Sequence, residues 1–364
     1  MDDSITLVRS RADFVALLER WTDVSGASNY FLSNDWAREY LKRWPDDDFF
    51  IGMQLSSDAL VYFSRGIRSS PLSRRHRSLG FNESSSRELD SVTVEVNGLI
   101  GPSTIALSKW SPAILQRLEA LGGWDEIRIN ALSTSDADEL AVAASSMGLL
   151  THVYNIRDTY LVDFAWVGRQ FNGDYLASRS SNTRQQIRRA VKGIEGQYGK
   201  LDITRASSAV EGHAWLDAMA ALHRKRWNAD GNNNGFANPG FGSFHHSLVD
   251  SMIEAGTLDI LRVCAGNETV AYLHNFVIDG RVYFNMSGID YERFEPHRPG
   301  TLAHYLAISR YQTQGLQAYD FLAGTNRYKQ SLATHQERQT SLVVRRPLLR
   351  FRLEAILRRI KRKI

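Results

Sequence analysis

The sequence predicts an α/β (α+β) chain made of two similar halves, each a mixed, mainly antiparallel sheet flanked by helices. Three observations predict it. Between Leu258 and Ser287, three runs rich in β-branched and aromatic residues are separated only by Ala265-Gly266-Asn267-Glu268 and by Asp279-Gly280, which is hairpin spacing. Gly300-Thr301 then opens a run with Leu302, Tyr305, Leu306 and Ser309 at helical spacing, followed by a short strand over residues 317–322. Earlier in the chain, the same succession of strands, helix, strand, helix, strands occurs once before, as a repeat of architecture and not of letters.

Length and composition agree with that outline. The 364 residues are 43% hydrophobic and 23% charged, enough for two domains with full cores. Cys264 is the sole cysteine, so neither an intramolecular disulfide nor an all-cysteine metal site is available; this fits a reducing compartment, and the predicted strand around it makes Cys264 a buried structural thiol. Met1-Asp2-Asp3-Ser4 is acidic with no apolar run behind it, and no window approaches the roughly 18 apolar residues of a membrane span, so a cytoplasmic location is expected. The net charge of +4 is unevenly spread: nine Lys or Arg and one acid from Arg345 onward give that tail +8 and leave the rest at −4.

In chain order, Phe14, Leu17, Leu18 and Trp21 mark a first helix over residues 13–21. Ser33 or Asn34 caps the next, whose Trp36, Tyr40 and Trp44 read as core and which stops at Pro45. Residues 49–55 and 59–64 form a hairpin about Ser56-Ser57-Asp58. The Ser- and Arg-rich run 69–86, containing Arg74-Arg75-His76-Arg77, reads as a mobile loop that either touches phosphate or is a solvated connector. Residues 91–96 alternate like a strand, with Glu95 a candidate acceptor-binding residue and Asn97-Gly98 a turn. A helix over 112–121, a strand over 125–132, a helix over 135–147 and two strands across 151–164 complete the first half.

A helical region starting at residues 170–177 leads to a basic helix over 180–195, with Arg184, Arg188 and Arg189 in successive turns; it faces an acidic acceptor, a phosphate, or only solvent. The helix over 210–227 ends with His223, Arg226 and Trp227, and the Asn- and Gly-rich run 230–238 is a loop placed to close over a substrate. In the strand from Arg281, Val282, Phe284 and Met286 fall on one face and Tyr283, Asn285 and Ser287 on the other; the second face is polar enough to line a cleft. The expected divisions are residues 1–165, a linking basic helix at 166–200, a catalytic half at 201–346 and a tail at 347–364.

Four segments carry a resemblance to a known group: Phe31-Leu32-Ser33-Asn34-Asp35-Trp36, His223-Arg224-Lys225-Arg226-Trp227, Pro299-Gly300-Thr301-Leu302, and Asp320-Phe321-Leu322-Ala323-Gly324 through Tyr328-Lys329. Together, and in this order, they resemble the CelD-like acetyltransferases of the GNAT superfamily, named from cellulose biosynthesis and related to the FemAB-type transferases. The resemblance runs from about Tyr30 to Arg346. It implies two tandem GNAT-like halves and acyl transfer from acetyl-CoA or another acyl-CoA to an amine or hydroxyl, in exopolysaccharide or cellulose biosynthesis.

Acyl transfer from a thioester needs an anchored donor, a proton acceptor and a means of stabilising the leaving thiolate. The helix that starts at Pro299, Gly300 and Thr301 offers free N–H groups to a pyrophosphate, with His297 and Arg298 adding charge. His297 and Leu302 depart from the Q/R-x-x-G-x-G/A loop usual in the superfamily. His274, with an ordinary pKa of about 6.5, Asp320 and Asp290 are candidate bases; Asp320 is equally explained as the partner of Lys329 or Arg327, since an acid in an apolar strand needs one. By resemblance, Tyr328 protonates the thiolate and Lys329 lies near a donor or acceptor phosphate. Arg226, Trp227, Tyr283, Asn285, Glu95 and Arg184 are candidate substrate contacts. No metal-ligand spacing, P-loop or nucleophile elbow occurs, so transfer is expected to be direct.

The tail carries Leu348, Leu349, Phe351, Leu353, Ile356, Leu357 and Ile360 among its basic residues. It is expected either to lie on an anionic inner-membrane surface beside a polysaccharide synthase or to pack on the body. Two other functions stand beside acyl-CoA transfer: aminoacyl transfer from aminoacyl-tRNA, and an inactive GNAT-fold scaffold.

Overall fold

A computed structural model gives the structure of the chain and describes residues 5–20, 29–45, 49–55, 59–70, 73–86, 89–92, 94–101, 105–229 and 235–361. In order come β1 (Ile5–Val8), α1 (Arg11–Arg20), α2 (Asn34–Leu41), β2 (Phe50–Leu55), β3 (Ala59–Ser70), β4 (Ser73–Phe81), α3 (Leu107–Leu121), β5 (Glu126–Ser133), α4 (Thr134–Ser146) and β6 (Leu150–Asp163). Next are α5 (Phe164–Phe171), α6 (Ser181–Tyr198), β7 (Leu201–Arg205), α7 (Ala209–Ala229), α8 (Pro239–Met252), β8 (Leu258–Ala265), β9 (Glu268–Ile278) and β10 (Arg281–Ile289). The chain ends with α9 (Tyr291–Phe294), α10 (Pro299–Thr313), β11 (Ala318–Ala323), α11 (Arg327–Leu332), β12 (His335–Arg345) and α12 (Leu349–Lys361). Local chemistry sets the helix starts: the Ser33, Ser133 and Ser180 hydroxyls accept the N–H groups of Trp36, Asp136 and Thr183 at 3.3, 3.0 and 3.2 Å.

The chain divides into two compact units, one running to Arg157 and resuming at Arg338, the other Asp158–Glu337. In the first, the strand order is β1-β2-β3-β4-β5-β12, and every pair is antiparallel except β4 with β5. In the second, the order is β7-β8-β9-β10-β11-β6, again antiparallel except for β10 with β11. A parallel pair needs a crossover helix, which is α3 in one unit and α10 in the other. The repeat is therefore present strand for strand, with the closing strands exchanged: β12 completes the first unit and β6 the second.

Each unit has its own core. Phe63, Leu79, Phe81, Ile127, Ile129, Leu342 and Val344 pack against Trp110, Ile114 and Leu118 in the first. In the second, Val263, Leu273, Val282, Tyr319 and Phe321 pack with Ile187, Ile194, Leu302 and Ala307. Each such side chain contributes about 1.5–3 kcal/mol by leaving water.

Several sequence expectations change. Much of the run 69–86 is strand and not loop: β3 continues to Ser70 and β4 spans Ser73–Phe81, with Leu79 and Phe81 in the core and Ser78 and His76 on the opposite, polar face, while 82–86 are irregular and 71–72 lie outside the described residues. The alternation 91–96 is not a strand; Leu89–Val92 is a 3-10 turn, and Val92 and Val94 are buried from irregular backbone. Residues 151–164 hold one strand, because nothing between Leu150 and Asp163 takes a left-handed turn conformation. The helix expected from residue 170 starts at Phe164 and stops at the left-handed Asn172. Cys264 is half-buried, its Sγ 3.9 Å from the Thr269 hydroxyl. The turn at Ser56-Ser57-Asp58, residues 230–234 of the expected loop, and the side chains of Arg74 and Trp227 lie outside the described residues.

Candidate active site

The second unit's sheet splits where its two parallel strands part. β10 and β11 pair only from Arg281↔Ala318 to Tyr283↔Asp320. Beyond that point β10 carries a bulge at Asn285, since Phe284 faces Asn275 while Met286 faces the adjacent residue, His274. β11 turns away through Leu322, which takes the left-handed conformation at φ 59°. Asp320 holds this departure: its Oδ1 accepts the Leu322 N–H at 2.7 Å, and its Oδ2 accepts Arg281 Nη2 at 2.5 Å.

The gap is a cleft of ≈ 590 Å³. Phe284, Asn285, Met286 and Ser287 all line it, because the bulge breaks the alternation that would have sent half of them to the other face. Gly300 and Thr301 close one side at the start of α10. The first turn of a helix has no acceptors for its N–H groups, Pro299 has none to offer, and the Arg298 side chain makes no capping bond, so the Gly300 and Thr301 N–H groups remain available to an anion. A Cβ on Gly300 would sit 2.9 Å from the Tyr291 hydroxyl and 3.1 Å from Ile289 Cδ1, so this wall approaches its neighbours closely only with glycine. Arg226, stacked over the Tyr291 ring at 5.0 Å, and Arg298 bring positive charge to the same space.

Tyr328 and Lys329 form the opposite wall, on α11. The Tyr328 ring stacks on His304, centroids 5.1 Å apart at 11°, and burial raises its hydroxyl pKa well above the ordinary tyrosine value. Lys329 Nζ donates to the carbonyls of Phe321 (2.6 Å) and Ala323 (2.7 Å), tying α11 to the diverging strand. His304 and His223 also line the cleft. Burial lowers the His304 pKa to about 3, with Lys329 adding to the shift, and burial and then Arg224 lower that of His223 to about 4. Both imidazoles are therefore neutral at ordinary pH.

Of the residues singled out from the sequence, Tyr328, Lys329, Arg298, Gly300, Thr301, Arg226 and Asn285 line this cleft. Others have different placements. Asp320 is paired with Arg281, neither Lys329 nor Arg327, and is absent from the cleft lining. His274 is fully buried between β8 and β10, where burial lowers its pKa to about 3, so it has no access to a substrate. Tyr283 is buried with its ring under the Arg281 guanidinium. His297 turns onto α6, with Nε2 3.1 Å from Gln197 Oε1 and its ring against Gly193. Pro299 is buried, and Arg184 Nη1 donates to the Arg179 carbonyl at 2.5 Å. Glu95 belongs to the first unit, 3.6 Å from Arg157. Sequence reasoning left His223, Tyr291, Glu295, His304 and Asn326 out of the candidate set; His304 was findable, because it lies one turn from Gly300 on the same helix face.

The buried histidines set an acid limit on stability. A histidine with a depressed folded pKa binds fewer protons folded than unfolded, so its stability contribution is intact above about pH 6.5 and is lost as pH falls towards 3. Thermal midpoints should therefore fall steadily below about pH 6.5. His274→Phe should flatten that slope; an unchanged slope would contradict the neutral burial of His274.

In the first unit the matching gap is filled. β4 and β5 pair only from Ser78↔Glu126 to Gly80↔Arg128, and Ala131 then turns left-handed at φ 53°. Here the Asn97 N–H donates to the Ala131 carbonyl (3.0 Å) and Asn97 Nδ2 to the Phe81 carbonyl (3.0 Å), while Asn82 Nδ2 donates to Asn97 Oδ1 (3.0 Å) and the Gly98 carbonyl (2.7 Å). Asn82 and Asn97 are buried. The segment around Asn97-Gly98 thus plugs the place that stays open in the second unit.

Residues 181–330, which include the parallel pair that splits and the helix N-terminus facing the split, match the profile of the Acetyltransferase (GNAT) domain. The first unit repeats the strand order of that domain. Solved structures share the fold over nearly the whole chain. FemX aligns with a TM-score of 0.60 at 10% identity, covering 97% of this chain and 99% of its own. A conserved protein of unknown function from Bacteroides thetaiotaomicron gives 0.59 at 12%, covering 94% and 100%. The C-terminal domain of a putative lysylphosphatidylglycerol synthetase from Agrobacterium fabrum gives 0.54 at 11%, covering 93% of each chain. At such identities the likeness is one of fold. No curated protein sequence matches the chain significantly. Among the described residues no group of three or more His, Cys, Asp or Glu is placed to hold a metal ion, and no helix is long and apolar enough to cross a membrane.

Proposed function

We propose that the second unit is an acyltransferase that moves an acyl group from acyl-CoA to an amine or hydroxyl acceptor. One observation carries the reading: the uncapped start of α10 opens into the same cleft as Tyr328. The donor's phosphates lie at the Gly300 and Thr301 N–H groups, with Arg226 and Arg298 supplying charge, and the thioester points towards α11. Transfer forms a bond from the acceptor nitrogen or oxygen to the acyl carbon and breaks the carbon–sulfur bond. The acceptor's proton leaves to a neutral imidazole such as His223 or to water, the Tyr328 hydroxyl gives a proton to the departing thiolate, and the proton taken from the acceptor returns through water to the Tyr328 oxygen, which restores the enzyme. The residues fit a phosphate at the helix start. Leu302, buried in the core, and His297, turned onto α6, give that anion nothing, so the contact is shorter than the usual loop provides. A sugar precursor of exopolysaccharide or cellulose as acceptor follows from the CelD-like resemblance alone.

Calorimetric titration with acetyl-CoA tests the donor. Binding should be in the micromolar to low-millimolar range typical of substrates, and Gly300→Trp should weaken it by at least about tenfold by filling the wall beside Tyr291. Absence of binding to the unaltered protein would overturn acyl-CoA as donor. A second reading, transfer from aminoacyl-tRNA, is favoured by the open basic concavity on α6 lined by Arg184, Arg188, Arg189 and Lys192. It predicts RNA binding that falls steeply with salt and weakens on replacing Arg188 and Arg189 with Ala. Silence in both assays would leave the scaffold role, with the shortened loop as its motive.

A further inference from the structure

The C-terminal helix α12 packs on the fold with one face and presents an apolar stripe on the opposite one. Phe351 and Glu354 are buried; the Phe351 ring meets His76 at 5.3 Å, and Glu354 accepts Arg345 Nη1 at 2.9 Å. Leu349, Leu353, Ile356 and Leu357 are 74%, 46%, 52% and 48% exposed. At 3.6 residues per turn these four fall within an arc of about 100°, turned away from Phe351. Exposed large apolar residues elsewhere are scattered along the chain, whereas these form one stripe.

Charge selects the partner. Arg350 and Arg352 follow on either edge of the stripe, and Arg358, Arg359, Lys361, Arg362 and Lys363 continue the sequence beyond it. The tail's single acid, Glu354, faces inward on Arg345, which also pairs with the buried Glu126 at 2.6 Å, and Arg350 pairs with Asp125 at 3.2 Å, which leaves Arg352, among the described residues, as the exposed cation at the edge of the stripe. An apolar stripe edged by Arg352 and continued in sequence by a basic run is complementary to an anionic lipid surface, with the leucines and isoleucine at the acyl boundary and the basic residues at the headgroups. We infer that α12 docks this protein on the surface of an anionic bilayer. The inference is independent of the acyl-transfer reading.

The test is co-sedimentation of the full chain with vesicles of phosphatidylglycerol and phosphatidylcholine, compared with phosphatidylcholine alone. The protein should pellet with the anionic vesicles, be released by high salt, and remain in solution with neutral ones. Leu353→Glu with Ile356→Glu should reduce the bound fraction by at least about tenfold, and Arg352→Glu by several-fold. Because the substituted residues are exposed, the thermal midpoint should match that of the unaltered protein, which separates lost docking from lost folding. Protein that stays in the supernatant with anionic vesicles, or a double variant that pellets normally, would overturn the inference. So would a dimer broken by the double substitution without any vesicle binding, which would assign the stripe to a second copy of the chain.

Discussion

Tyr328→Phe is expected to lower kcat for acyl transfer about a hundredfold or more while leaving the donor Kd unchanged. The phenyl ring keeps the stack on His304, so the wall of the cleft survives and only the hydroxyl is lost. A positioned proton donor contributes roughly 10²–10⁴ to the rate, and none of that is needed for ground-state binding, so the loss should appear in kcat and not in affinity. The pH profile adds a second readout. Burial raises the Tyr328 pKa, so the hydroxyl stays protonated above the pH where an ordinary tyrosine ionises, and no alkaline limb should appear near pH 10. The measurement is initial-rate thiol release from acetyl-CoA with an acceptor present. A variant with unchanged kcat would show that the thiolate leaves unaided, and would reduce Tyr328 to a packing residue.

The parts of this molecule that sequence reading reached are those decided within a few residues. The β8–β9–β10 meander is spelled out by its turn residues, and the start of α10 by Pro299-Gly300 ahead of a helical period. The cleft itself was only half legible. Its shape depends on a one-residue bulge at Asn285 and on Leu322 leaving the sheet, and neither has a glycine or proline to announce it. Alternation therefore assigned Tyr283 to the cleft, though it lies under Arg281, and sent Phe284 and Met286 to the core side alone; Phe284 does pack in the core, and both also line the cleft.

Long-range pairing was the other blind spot. β12 joins β5 from more than 200 residues away, as in Arg345↔Glu126, and nothing local distinguishes that from closure within its own half. The same distance hid the reason for the polar run around His76. Ser78 donates to Glu126 at 3.3 Å, and Arg345 reaches the same carboxylate, so a Ser- and Arg-rich stretch that reads as solvated is a strand facing a buried ion-pair network. A charge run carries different meanings when its partner lies elsewhere in the chain.

Asp320 brings these threads together, because an acid inside an apolar strand admits two readings that make opposite predictions. As a catalytic base, Asp320→Asn would abolish activity and leave stability nearly intact. The geometry instead makes it the fastener of the strand split: one oxygen holds Arg281 at the start of β10, the other holds the N–H of the left-handed Leu322. Asp320→Ala should then cost about 3 kcal/mol, through an unpaired, partly buried guanidinium and an unsatisfied buried N–H. Asp320→Asn keeps an acceptor for Leu322 and loses the negative charge that pairs with Arg281, so about half that cost is expected, with activity at low temperature largely retained. Urea unfolding measures the cost as a shift in midpoint at constant slope. If Asp320→Asn unfolds like the unaltered protein yet is inactive, Asp320 acts on the substrate and the cleft must extend to it. If both variants lose stability in the expected order and the Asn variant still turns over, the acid is there to hold open the gap in which the chemistry takes place.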